Sequence, residues 1–437
     1  MSAGHSLLAL AREAGFHRAG FADPETLISL ARRVRALRRS GFLDQEAFDG
    51  LEWDWLFESE HWSQTAAVLV CCLSCAPSEP DDLSTPGDPH ALVAPFARAN
   101  YYRTAMGMLR AFARRLEEVH GIPRASLRLF SNSRIPEKPL LVSSGLAAYG
   151  RNGLALVPGL GSLFVIGGAV IPLPSAELCP EPAAPRVGDL CGSCTRCIAA
   201  CPVGAIEKPG VVNPGRCLQG SAGSAMPLES RIMELWGARL YGCQECQAVC
   251  PHNRGLTEKA RPRTGDLGPS VSIRKILSLD PSSTLKEWFR GTAMGMSWVS
   301  GEALLRNALI AAGNRGDPSV RADVERFTAS SEPMLRRTAA WALERMSALR
   351  RISPAPFLPP VAREKCEDDE ERDEQKEDQV ADDRDAGDQL SVVQVSKLGK
   401  SEQGDQEPQD SREGKKDVAL PGEIPDAQNP RDDAQDQ

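Results

Sequence analysis

No stretch of this 437-residue chain reaches 18 consecutive apolar residues, which excludes an ordinary membrane-spanning helix. The N-terminus, MSAGHSLLALAREAGF, lacks the basic n-region of a secretory signal and carries Arg12 and Glu13 early. It reads as an amphipathic helix, and the chain is expected in a reducing cytoplasm, where 13 cysteines serve as metal ligands or buried thiols rather than disulfides. Phosphate-binding loops are missing as well: there is no P-loop, and Gly159-Leu-Gly161-Ser-Leu-Phe lacks the last glycine of G-x-G-x-x-G. Aromatic residues stop at Phe357.

The charge is unevenly placed. The net charge is −8, but residues 361–437 hold 25 acidic and 11 basic side chains, a balance of −14, which leaves +6 on the first 360. A polar tail of that composition cannot bury enough apolar surface to offset its ordering entropy, so 353–437 is expected to be disordered. Its one apolar island is SVVQVSKL, residues 391–398.

Ahead of the tail the pattern is mixed. Residues 67–73 (AVLVCCL) have strand length, and 105–118 read as a helix with Met108, Leu109, Phe112 and Leu116 on one face. Residues 162–171 (SLFVIGGAVI) read as a buried strand or a hairpin broken at Gly167-Gly168. Residues 265–351 read as helical, with a stop at Gly313-Asn314, a start at Asp317-Pro318 and a third helix from Pro333. The expected class is α+β, with boundaries at 1–185, 186–260, 261–352 and a tail from 353 to 437.

The strongest signal is Cys191-Gly-Ser-Cys194-Thr-Arg-Cys197-Ile-Ala-Ala-Cys201-Pro202, the C-x2-C-x2-C-x3-C-P run of two-cluster ferredoxins. In that run three thiolates hold one cubane and the fourth reaches another cluster, so a second group must exist. Cys243-Gln-Glu-Cys246-Gln-Ala-Val-Cys250-Pro251 supplies it, with Cys217 filling the missing corner. Crossed ligation puts Cys191, Cys194, Cys197 and Cys250 on one [4Fe–4S] cluster, and Cys201, Cys217, Cys243 and Cys246 on the other. Zinc is the competing reading, since C-x2-C pairs also make zinc knuckles. Cys71 and Cys72 read as core packing; Cys75, Cys179 and Cys366 have no assigned role.

The run CGSCTRCIAACPVGAI, then Gly215-Arg216-Cys217, then Tyr241-Gly242-Cys243 through Asn253, resembles the epoxyqueuosine reductase family. So do Leu304-Leu305-Arg306-Asn307-Ala308-Leu309-Ile310-Ala-Ala-Gly313-Asn314, Gly316-Asp317-Pro318 and Ala339-Ala340-Trp341-Ala342-Leu343. In the N-terminal half, Gly145-Leu146, Gly150-Arg151-Asn152 and Gly161-Ser162 look like family segments too.

The resemblance implies an N-terminal α/β corrin-binding-like domain, a two-cluster ferredoxin-like insert and a C-terminal HEAT-like helical module that helps hold tRNA. It implies cobalamin, although the D-x-H-x-x-G loop that supplies a lower axial histidine is absent: Asp88-Pro-His90-Ala-Leu-Val93 ends in valine. The implied reaction reduces epoxyqueuosine to queuosine in tRNA, with electrons from a donor such as flavodoxin or ferredoxin, in a monomer with no membrane contact. The family's proton-donating aspartate falls on Ser131, in Phe130-Ser-Asn-Ser-Arg-Ile-Pro-Glu-Lys138, and Glu137-Lys138 match its E-K/R pair. A serine is a far weaker acid and relays a proton at most through water. The family's R-x-D-P segment is replaced by residues 57–63, FESEHWS. Two alternatives stand beside this reading: a corrin-dependent reductase with another substrate, and a non-catalytic two-cluster electron-transfer protein.

Overall fold

The structure is a computed structural model. It describes residues 3–22, 67–78, 82–133, 135–174, 187–260, 267–279 and 282–352, with Arg32, Ala36, Arg39 and Leu178. The acidic tail, its apolar island, residues 57–63, Cys179 and Cys366 lie outside the described residues, and all described residues belong to a unit spanning Met1–Lys397.

The strand Ala67–Ser74 is buried along its whole length. The cause is that both sheet faces are covered, so the usual apolar–polar alternation has no solvent side to serve. It pairs antiparallel with Arg18–Ala22 and with Phe164–Ile171, which in turn pairs with Arg128–Phe130. On one face Leu69, Cys71, Val165 and Ala169 pack beneath Leu7, Leu10, Leu109, Phe112 and Leu116 of the helices Ala3–Glu13 and Tyr101–His120. On the other, Val68, Val70, Cys72, Ile166 and Val170 pack with Leu140, Leu141 and Val142 of the helix Glu137–Ser143. The long helix begins where the Asn100 side chain accepts the Arg103 N–H at 3.0 Å, and ends at Gly121 with φ 67°.

The hairpin option at Gly167-Gly168 is not what forms: Phe164–Ile171 is one unbroken strand. These glycines serve close approach instead. A Cβ on Gly168 would fall within contact of the Leu69 carbonyl and the Phe130 ring. Gly168→Ala is therefore expected to cost about 2–3 kcal/mol through overpacking, read as a lower denaturant midpoint at unchanged slope.

A second sheet joins distant parts of the chain. The strand His90–Val93 pairs parallel with Arg239–Tyr241 and antiparallel with Ser270–Ser272. The stretch 265–351 is thus not wholly helical, because Ser270–Ser272 closes this sheet before the helix Ile273–Ser278 starts. The helix Gly301–Arg315 is the centre of the C-terminal core, which also takes in Ala91, Val93, Ala97, Trp236 and Leu240. The expected stop at Gly313-Asn314 is overrun, and the helix ends at Gly316 with φ 68°. Gly313 lets Trp341 and Ala342 pack close, while Asn314 donates to the Met233 and Gly237 carbonyls at 2.8 and 3.0 Å. Asp317 caps the next turn by accepting the Ser319 N–H at 2.9 Å, and the last helix runs Pro333–Ile352. No helix among the described residues is long and apolar enough to cross a membrane.

Candidate iron–sulfur and substrate site

The two cysteine segments repeat one backbone motif. Each has a four-residue helix, Arg196–Ala199 and Glu245–Ala248, and the two helices pack together. Thr195 (φ −120°, ψ 11°) matches Gln244 (φ −123°, ψ 9°) at the helix starts, and Ala200 (φ −82°, ψ −8°) matches Val249 (φ −89°, ψ −6°) at the ends. Tight loops lead in: Cys194 N–H donates to the Cys191 carbonyl at 3.1 Å, and Gly192 sits at φ 52°.

Cys191, Cys194, Cys197 and Cys250 line one small cavity of about 40 Å³, together with Arg151, Arg196 and His252. Burial raises the Cys197 thiol, and the charges of Cys191, Cys250 and Cys194 add to it. Cys246 is pushed up to about 12, first by burial and then by Cys243, Cys217, Cys197 and Cys201. Burial likewise raises Cys243, with Cys217 contributing. The thiols of the two loops therefore lie near enough to feel one another's charge, and thiolates so placed repel one another until a cation shares their charge. Among the described residues no three Cys, His, Asp or Glu side chains converge as the ligands of a single ion would. Cys71 and Cys72 lie apart in the strand Ala67–Ser74, with Cys75 directly after it, all three buried.

The N-terminal half grips both segments. The Asn253 side chain accepts the Ser162 N–H at 2.7 Å and donates to the Ser162 hydroxyl at 3.1 Å, while Gln247 donates to the Ser162 carbonyl at 2.8 Å. Gly161, at φ 60°, leaves the room Asn253 needs. Arg151 donates to the Gly192 carbonyl at 2.6 Å, and the His252 ring meets the Leu190 carbonyl at 2.7 Å. The Gly-Arg-Asn and Gly-Ser segments therefore act as docking points for the cysteine loops.

Next to the second cysteine group lies a cavity of about 240 Å³. Phe96, Tyr102 and Asn132 line it from the N-terminal half, Gln219, Gly220, Gly223, Ser224 and Tyr241 from the cysteine region, and Ala293 and Trp298 from the helical part. It touches the cysteine loops directly, since the Gln219 side chain accepts the Cys243 N–H at 3.2 Å. Burial raises both the Tyr102 and the Tyr241 phenols, so both keep their protons at neutral pH. Of these lining residues, only Asn132 and Tyr241 fall in the resembling stretches, and sequence pattern gave neither of them a role at the site.

Ser131 follows the strand Arg128–Phe130, and its hydroxyl donates to the Ile166 carbonyl at 2.7 Å. Its neighbour Asn132, not Ser131, lines the cavity, at φ 51° the single non-glycine positive φ among the described residues. Such a residue stores strain that the surroundings must hold. Glu137 does the holding: its carboxylate accepts the backbone N–H of Ser133 at 3.2 Å, with Asn132 also bonded to it.

Burial pushes the half-buried Glu137 carboxyl up to about 8 from an ordinary 4.5, against those two hydrogen bonds. An acid whose folded value is raised keeps its proton in the folded state after the unfolded chain has lost it. Stability therefore falls as pH rises from about 4.5 towards about 8 and stays low above. Glu137→Gln is expected to flatten that slope, with melting temperatures that match the parent near pH 4 and exceed it at pH 9. Parallel curves for parent and variant would contradict the assignment.

Residues 190–253 match the model of the 4Fe-4S double cluster binding domain. Along the chain, the epoxyqueuosine reductase of Aliivibrio fischeri is 30% identical over 321 residues, covering 70% of this chain and 81% of that protein. The epoxyqueuosine reductase of Bacillus subtilis is 27% identical over 348 residues, covering 77% and 86%. Among solved structures, epoxyqueuosine reductase from Streptococcus thermophilus superposes with a TM-score of 0.65 at 22% identity, over 82% of this chain and 96% of that one. An epoxyqueuosine reductase bound to an epoxyqueuosine-modified tRNA-Tyr stem loop gives 0.64 at 23% identity, over 78% and 89%. These structural likenesses carry the mixed α/β fold.

Proposed function

This chain belongs to the epoxyqueuosine reductase family, and from that membership we propose that it reduces the epoxide of epoxyqueuosine in tRNA to queuosine, using two [4Fe–4S] clusters and cobalamin. The observation that carries the reading is the meeting of two equivalent cysteine loops with a cavity walled by all three parts of the chain. The proposed ligand sets are Cys191, Cys194, Cys197 and Cys250 for one cluster, and Cys201, Cys217, Cys243 and Cys246 for the other. The cavity shared by Cys191, Cys194, Cys197 and Cys250 supports the first set, and the charges of Cys243, Cys217 and Cys201 on Cys246, to which Cys197 also adds, support the second. The first set faces Arg151 and Arg196, suited to an acidic donor such as flavodoxin or ferredoxin; the second set adjoins the cavity.

For the corrin, the cavity of about 240 Å³ is too small to enclose the macrocycle and can only border one face or edge of it. Phe96, Tyr102, Tyr241 and Trp298 give aromatic walls to a flat ring, and Asn132 and Gln219 give amides for its polar edge. Among the described residues no histidine lines the cavity. When bound, the corrin supplies a cobalt centre that takes up electrons singly. The chain's own part is to exclude water with the aromatic walls, to orient the bound groups with Asn132 and Gln219, and to bring protons. Loss of the epoxide oxygen as water consumes two electrons and two protons. Ser131 contributes at most a relay, because its hydroxyl proton is already given to Ile166.

The proposed organisation is a corrin- and substrate-binding part at 1–185, a ferredoxin-like part at 186–260, a HEAT-like module at 261–352 and an acidic tail. Exposed Arg336 and Arg337 on the last helix offer that module phosphate contacts. The protein is proposed to act as a cytoplasmic monomer. Ser131 also favours a second reading, a corrin-dependent reductase with another substrate. Anaerobic purification with iron, sulfide and cobalt analysis, then incubation with epoxyqueuosine-bearing tRNA, tests both. Queuosine formation is the expected result. Cobalt binding without turnover transfers support to the second reading, and zinc without iron overturns both.

A further inference from the structure

Arg306 is fully buried in the helix Gly301–Arg315, and its hydrogen-bond partners among the described residues are carbonyls and an amide, with no carboxylate. An unpaired charge in that position is costly, so its surroundings must repay it. All five guanidinium N–H donors are used. Nη1 donates to the Ser224 and Met226 carbonyls at 2.8 and 2.6 Å, Nη2 to the Ser221 carbonyl and the Asn307 side chain at 2.8 Å each, and Nε to that same Asn307 oxygen at 3.0 Å. The guanidinium also lies 5.5 Å from the centre of the Trp236 ring. Burial lowers its pKa to about 10, which leaves it charged at neutral pH.

Asn307 completes the device. Its amide donates to the Ala222 carbonyl at 2.9 Å and to the Leu240 carbonyl at 2.8 Å. The pair thus holds two segments at once. One runs from Cys217 through the cavity residues Gln219, Gly223 and Ser224; the other leads through Tyr241 to Cys243. Both segments carry cysteines of the proposed second cluster, and Gln219 links them by accepting the Cys243 N–H.

We propose that Arg306 and Asn307 are positioning residues for the second cluster, and that the unneutralised charge of Arg306 raises the reduction potential of that cluster relative to the first. Reduction adds an electron, and a fixed positive charge in a low-dielectric interior favours the added negative charge. Electrons that enter at the first cluster are then drawn toward the one beside the cavity. The inference rests on the cluster assignment made above.

The test is a potentiometric titration of anaerobically purified full-length protein, followed by paramagnetic resonance, with the second cluster identified as the signal lost in Cys217→Ser. Arg306→Met removes the charge, Asn307→Asp sets a carboxylate against it, and Arg306→Lys keeps the charge with fewer donors. Arg306→Met and Asn307→Asp are expected to shift the second cluster's oxidised-to-reduced ratio at least tenfold toward oxidised, 59 mV for a one-electron couple. The first cluster stays in place, and Arg306→Lys stays near the parent. An unchanged second potential in iron-replete variants overturns the inference, as does an equal shift of both clusters. Should Arg306→Met not load iron, Asn307→Asp decides, because it keeps the guanidinium and every oxygen it donates to and loses only the amide bonds to Ala222 and Leu240. A parent with no cubane signals would instead sink the functional reading.

Discussion

Replacing Cys246 by alanine is expected to cut iron from about eight to about four atoms per chain, since each cubane holds four, and to abolish turnover. The reason is position. Cys246 lies among the thiols that adjoin the cavity and belongs to the proposed second cluster, so its loss is expected to remove that cluster, the proposed last electron station, while the first remains. Cys75→Ala is the control. Its thiol is also buried and pushed up to about 12 by burial, but it follows the strand Ala67–Ser74, and no cysteine of the loops is among the groups that shift it. It should keep full iron and activity and lose only packing energy. Equal iron loss in both variants would mean that folding, and not ligation, is being measured.

Ser131→Asp carries the second large effect. General acid catalysis contributes about 10²–10⁴-fold, and Ser131 cannot supply it while its proton is bound to the Ile166 carbonyl. An aspartate there has no proton to give that carbonyl when ionised, so the side chain is driven from it and turns toward the cavity that Asn132 already borders. Turnover of epoxyqueuosine-bearing tRNA is expected to rise by about 10²-fold, with a new dependence on a group titrating in the acid range. Ser131→Ala is expected to change little. Failure of Ser131→Asp to raise turnover would move support to a different substrate for this site.

The cysteine loops were legible from sequence because ligand spacing is local: C-x2-C-x2-C-x3-C-P is set within a dozen residues. The strand at 67–73 and the helix around Leu109, Phe112 and Leu116 were legible for the same reason, as their periods lie within one segment. The cavity was not. Phe96, Asn132, Gln219 and Trp298 are brought together only by tertiary structure, and none belongs to a spaced motif. Gly167-Gly168 and Gly313-Asn314 misled in one common way, for each looked like local punctuation and each serves a neighbour across the core. Arg306-Asn307 was visible as part of a resembling segment, but its role depends on carbonyls some 67 to 85 residues away.

The strand His90–Val93 has a consequence for how the protein is made. Its two partners, Arg239–Tyr241 and Ser270–Ser272, are synthesised long after it. At about 5–20 residues per second the strand waits on the order of ten to forty seconds with both edges bare. A nascent chain in that interval offers an open template for foreign pairing, so yield in the cell should depend on holdase capacity and growth temperature more than on the stability of the finished molecule.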